Sequence, residues 1–186
     1  TGHDGFKPGS CTIDLWPEVS EYEKLYKTEF VFYDGSPAYT FSSYDASTVD
    51  THFRWMEEYG IDGVFMQRFV AEIRNKSGKK HFSKVLDSAM ESANRHSRAI
   101  CIMYDLSGMN PGDENVLIAD IKELAERHSL FDHDSNPSYL YHNGKPLVTV
   151  WGVGFDDGRK YGYKEADKIL TALESMGFSI MLGVPT

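Results

Sequence analysis

The fold is decided by the stretch Glu57-Glu58-Tyr59-Gly60-Ile61-Asp62-Gly63-Val64-Phe65-Met66-Gln67-Arg68. Its pattern indicates the end of a helix, a glycine stop, a short buried strand and polar residues where that strand emerges. The same pattern recurs in residues 97–105, 146–152 and 177–183. Near-continuous apolar strands between amphipathic helices are typical of a parallel sheet covered by helices. In such folds, binding and catalytic residues collect at the carboxyl ends of the strands.

The pattern outward from this stretch predicts an α/β fold. Residues 1–37 are rich in Gly, Pro and Ser at their start and predict an irregular N-terminal arm with a short helix near residues 21–27. Residues 38–186 predict consecutive βα units, with about five strands, the first over 38–44, and four helices. Such units form either an open doubly wound sheet or a closed (β/α)8 TIM barrel. Since five strands do not close that barrel and the chain stops just after a strand, we expect a (β/α)8 barrel that is incomplete at its C-terminus.

Composition narrows the classes of partner. The chain has 186 residues, enough for one domain with a substantial core, and a net charge of −9. This charge argues against a nucleic-acid partner, because phosphate backbones require basic surfaces. No apolar run approaches the roughly 20 residues of a membrane span. The 11 Tyr and 3 Trp residues, combined with carboxylates, suit sugar binding, although aromatic residues also fill cores.

The predicted strand ends carry the candidate site residues. Asp105 is the strongest candidate, because it ends the most apolar strand and precedes a glycine-containing loop; alternatively, its carboxylate caps the next turn. Gln67 and Arg68 have donors for a ligand, but Arg68 is equally suited to pair with a carboxylate. Trp151 is either a stacking platform or a core ring. The sequence has no dinucleotide-binding or metal-ligand motif, so we expect no cofactor and no metal.

Several segments together resemble a known family. They are residues 38–44, Ser47-Thr48-Val49-Asp50, the run from Trp55 to Val64, Tyr104-Asp105 and Tyr141-His142-Asn143-Gly144-Lys145-Pro146. This set resembles the glycoside hydrolase 71/99-like group, which includes endo-α-mannosidases and endo-α-mannanases on (β/α)8 barrels. It looks most similar to the bacterial branch of xylosidase/arabinosidase proteins, and the resemblance covers most of residues 38–186.

The resemblance implies part of a glycoside hydrolase that acts on oligo- or polysaccharides, located in the periplasm or outside the cell. In the family the two catalytic carboxylates lie late in the barrel, so this segment alone should be inactive and Asp105 should have a supporting catalytic role. The segment would supply the first half of the substrate-binding rim, through Tyr44, Gln67, Arg68, Tyr104, Asp105 and Trp151. Two alternatives stay open: a non-catalytic carbohydrate-binding barrel and a barrel enzyme for a small metabolite. The sugar, its linkage, the stereochemical outcome and the oligomeric state also stay open.

Overall fold

The computed structural model describes residues 6–11 and 13–185. Within them, seven strands and five helices follow one another in the order β1 (Tyr26–Val31), β2 (Pro37–Thr40), α1 (Ala46–Glu58), β3 (Gly63–Phe69), α2 (Val70–Ile73), α3 (Lys76–His96), β4 (Ala99–Asp105), α4 (Glu114–Arg127), β5 (Tyr141–His142), β6 (Lys145–Trp151), α5 (Tyr163–Met176) and β7 (Ser179–Gly183).

The main sheet is built from four parallel strands in the spatial order β3-β4-β6-β7. Strand β5 joins its amino end by pairing antiparallel with β6. The tight turn between β5 and β6 is the predicted hairpin: Asn143 and Gly144 adopt φ angles of 51° and 74°, the left-handed region that Asn-Gly turns require. The hairpin prediction is confirmed: the start of β6 pairs with β5, and β6 then pairs with β4 from Val148 onward.

Helices cover one face of this sheet. Each crossover from one parallel strand to its neighbour advances in the same direction, and right-handed crossovers then put their helices on the same side. Residues of β4 and β6 that point to this side are fully buried, as at Ile100, Ile102 and Val150. On the other side, Phe65, Trp151 and Met181 are each more than 40% exposed. We call this second side the open face of the sheet.

The prediction of a (β/α)8 barrel is wrong. The parallel sheet stays open, with β3 and β7 at its edges, and the structure is a small α/β domain that includes antiparallel strands. The segment predicted to be the first barrel strand, residues 38–44, contributes β2, which pairs with β1 in a separate two-stranded sheet. The short helix predicted near residues 21–27 is also wrong, because β1 begins at Tyr26 and the residues before it are not helical.

The structure describes no helix that is both long and apolar enough to span a membrane within residues 6–11 and 13–185.

Cys101, on β4, is fully buried, and its Sγ lies 3.2 Å from the Leu147 carbonyl oxygen. Burial raises the pKa of the Cys101 thiol to about 12, so it stays neutral and acts as a small core residue.

Candidate functional site

The register of the sheet separates the predicted site residues into two groups. Phe69, Asp105, Trp151 and Gly183 are successive partners across the carboxyl end, and they point to the open face. Gln67 lies two residues before Phe69 and therefore points to the same face. The neighbours Arg68 and Tyr104 are themselves partners and point to the helix-covered face.

Asp105 and Gln67 form a polar pair on the open face. The Gln67 amide nitrogen donates to Asp105 Oδ2 at 2.6 Å, and the Ser107 backbone N–H donates to Asp105 Oδ1 at 2.8 Å. Asp105 is only 4% exposed, whereas Gln67 is exposed. The carboxylate thus caps its own loop, as one of the two interpretations proposed, and also orients the Gln67 amide. The amide oxygen of Gln67 remains an acceptor for a ligand.

Trp151 provides an apolar platform beside this pair. It is the direct partner of Asp105 on the adjacent strand, about 4.8 Å away in a parallel sheet. Its indole is 43% exposed and lies over Gly183, where an added Cβ would overlap the ring. Phe155 packs beside it with ring centroids 5.7 Å apart. The interpretation of Trp151 as a purely core ring is therefore excluded.

The loop after β6 supports the platform, and sequence reasoning missed it. The Tyr161 hydroxyl donates to the Gly152 carbonyl oxygen at 2.7 Å, and the Arg159 guanidinium hydrogen-bonds to the Tyr161 hydroxyl. Arg159 also lies 4.4 Å above the Phe155 ring centre and pairs with Asp157. Burial raises the pKa of Tyr161. Two aromatic residues and an arginine within ten residues of the end of β6 are the sequence signal that could have indicated this loop.

Arg68 and Tyr104 belong to a buried polar network beneath the helices. Arg68 Nε and Nη2 donate to the two oxygens of Asp120 at 2.6 and 2.8 Å, and Nη2 also reaches Ser83 Oγ at 3.0 Å. The Tyr104 hydroxyl donates to Asp120 Oδ2 at 2.7 Å. Burial alone would lower the pKa of Arg68, but the bonds and charge of Asp120 outweigh it and raise the pKa. These contacts hold the Arg68 guanidinium and the Tyr104 hydroxyl on Asp120. Both side chains therefore lie on the opposite face of the sheet from Gln67 and Asp105.

Tyr44 lies away from the Asp105–Gln67 pair, beyond the edge strand β3. It is 41% exposed, and its ring stacks on His81 of α3 with centroids 5.6 Å apart and an interplanar angle of 20°. Between this stack and β3 is a cavity of about 260 Å³. Its lining includes Met66 and Arg68 of β3 and Phe82 and Leu86 of α3. Because Met66 and Arg68 point to the helix-covered face, the cavity lies between β3 and α3 and is separate from the Asp105–Gln67 pair on the open face.

The described residues bring no three His, Cys, Asp or Glu side chains close enough together to hold a metal ion.

No protein-family model matches the chain, and the comparison with curated proteins gives no match either. Among solved structures, the chain is similar to a GH99 endo-α-mannosidase from Bacteriodes thetaiotaomicron, with a TM-score of 0.42 and 15% identity. The match covers 60% of this chain and 30% of the mannosidase chain. A likeness at this level decides neither fold nor function.

Proposed function

We propose that this chain binds a carbohydrate on the open face of its sheet and that it serves as the sugar-positioning part of a glycoside hydrolase-like protein. A single observation carries the proposal: the Gln67–Asp105 pair lies beside the exposed indole of Trp151 at one end of the sheet. A periplasmic or extracellular location, expected from the family resemblance, is part of the same proposal.

The chemistry of this arrangement fits a sugar. Sugar hydroxyls both donate and accept hydrogen bonds, and the exposed Gln67 amide can do both. The flat face of an indole is apolar and suits the C–H face of a pyranose ring. Because Asp105 already holds Ser107 and Gln67, it orients the amide toward the ligand and acts as a positioning residue.

Removing the aromatic platform should weaken binding. We expect Trp151→Ala to reduce affinity for a bound oligosaccharide about tenfold, which corresponds to ~1.4 kcal/mol, while Trp151→Phe keeps most of it. Calorimetric titration with a panel of xylo-, manno- and gluco-oligosaccharides measures this. Tyr59→Ala, at the end of α1, is the matched control, because Tyr59 is 78% exposed and lies at the opposite end of the sheet. Equal affinity of the Trp151→Ala variant and the unmodified chain would contradict the proposal.

Binding without hydrolysis is expected for these 186 residues. Glycoside hydrolysis generally needs two carboxyl groups, about 5 to 10 Å apart across the scissile bond. Of the residues that end the four parallel strands, Phe69, Asp105, Trp151 and Gly183, one is a carboxylate. The chain should therefore release no product from aryl glycosides, mannan or xylan in a reducing-sugar assay. Turnover that Asp105→Asn abolishes would show that a second carboxylate of this chain completes the pair.

A further inference from the structure

A groove lined with lysines runs along the first turns of α3. Lys76, Lys80 and Lys84 are spaced four residues apart, so they lie on one side of the helix, and all three are exposed. The groove has a volume of about 400 Å³. It is lined by Tyr44, Lys76, Lys79, Lys80, Ser83, Lys84, Asp87, Glu123 and Arg127. We call it the lysine groove.

Only part of the positive charge in the lysine groove is neutralised. Lys79 pairs with Glu123 at 2.6 Å, and Arg127 pairs with Asp87 at 2.7 Å. Among the residues that the structure describes, the ion pairs include none of the three exposed lysines. Three like charges in successive turns repel one another. On a chain with a net charge of −9, this local excess of positive charge is stabilised when an anion binds.

The lysine groove lies on the helix side of the sheet, near the carboxyl ends of the strands, where the proposed carbohydrate site occupies the other face. Helix α3 follows β3 after the short helix α2, so its first turns lie at the carboxyl end of the sheet. Tyr44 lines the groove and stacks on His81, and His81 lines the cavity between β3 and α3. The Tyr44 ring and the lysines therefore form one exposed surface on the helix side of the sheet.

We propose that the lysine groove binds the carboxylate or sulfate groups of an acidic polysaccharide. The inference rests on the proposed carbohydrate site and extends it by naming the substrate class. Lysine ammonium groups are mobile point charges that accept carboxylate or sulfate in many orientations. The Tyr44 ring supplies a stacking surface for the same chain of sugars. A nucleic acid is disfavoured, because two carboxylates line the groove and the rest of the chain is acidic.

The test is affinity electrophoresis of the complete chain in gels that contain polygalacturonate, dextran sulfate, neutral dextran or xylan. We expect retardation by at least one acidic polymer that weakens as salt is raised. Changing Lys76, Lys80 and Lys84 together to Gln should weaken this retardation about tenfold or more, from the loss of three favourable charge contacts. The control variant changes Lys27, Lys145 and Lys164 to Gln; these lysines are also exposed and the charge change is the same.

The outcomes separate this inference from the proposed function. If the triple variant at the groove and the control variant are retarded equally, the lysine groove is not an acidic-sugar site. This conclusion holds whether or not the open face binds neutral oligosaccharides. If Trp151→Ala leaves sugar binding unchanged while the groove variant loses it, the proposed site on the open face is wrong. Equal retardation by single-stranded DNA and by the acidic polysaccharides would show a general polyanion surface and would overturn the assignment to sugars.

Discussion

Replacing Asp120 with Ala should lower the free energy of unfolding by about 3–5 kcal/mol, because the change leaves a buried guanidinium without its counter-charge. For a domain of this size the melting temperature would fall by roughly 10 °C. Arg68 is 2% exposed and Asp120 1% exposed, and the two are joined by a bidentate contact. Thermal unfolding followed by circular dichroism measures the effect.

The size of this effect comes from what the substitution leaves behind. Asp120 accepts bonds from Arg68 and from the Tyr104 hydroxyl. Burial, reinforced by the charge of Asp120, raises the pKa of Tyr104 well above its usual value, so the phenol is a neutral donor. After Asp120→Ala, the buried Tyr104 hydroxyl has lost this acceptor and the Arg68 guanidinium keeps only Ser83 Oγ, so each loses the interaction that compensated for its desolvation.

Two comparisons test this explanation. Glu58→Ala removes an ion pair with Arg54 of similar length, 2.7 Å, but on the surface of α1; the melting temperature should hardly change. Replacing Arg68 by Met, Tyr104 by Phe and Asp120 by Leu together should recover most of the lost stability, since the buried charges and the phenol are removed together and only the neutral Ser83 hydroxyl loses a partner. A fall of less than ~1 kcal/mol for Asp120→Ala would mean that water reaches the network.

The parallel sheet could be predicted from the sequence, but its extent could not. Short apolar runs that follow a turn or a helix end define β3, β4, β6 and β7 from local pattern alone, and Asn143-Gly144 defines the hairpin. Whether such strands close into a barrel depends on contacts between distant segments. The alternating residues 38–44 fit an edge hairpin as well as a barrel strand, and their pairing with β1 was decided by residues predicted to be an arm.

The candidate site was predicted in part, and the alternation of a strand explains which part. Successive residues of a strand point to opposite faces. Gln67 and Arg68 therefore never share a face, and neither do Tyr104 and Asp105; this rule alone would have divided the predicted rim. It did not reveal which residue of each pair faces the helices, because that depends on where Asp120 of α4 lies. The role of Arg159 and Tyr161 could not be predicted either, because it depends on hydrogen bonds formed within the long connection between β6 and α5.

The second prediction with a large effect concerns the glycine under the aromatic platform. Gly183→Ala should lower the free energy of unfolding by about 1–3 kcal/mol through overpacking. It should also weaken oligosaccharide binding as much as Trp151→Ala does. The added Cβ would overlap the indole of Trp151, and the backbone of Gly183 is fixed by bonds from the N–H groups of Gly152 and Val153 at 3.1 and 3.3 Å. The ring, not the strand, must therefore move.

A double-mutant cycle isolates that contact. Combining Gly183→Ala with Trp151→Ala removes the ring that the Cβ would meet, so the double variant should unfold at a higher denaturant concentration than Gly183→Ala alone. Gly63→Ala is the control, because its Cβ would overlap the backbone carbonyl of Ala99, which Trp151→Ala does not relieve. If Gly183→Ala and Trp151→Ala act additively on stability, the ring does not rest on Gly183 in solution. The open face would then lack the fixed platform on which sugar binding is proposed to depend.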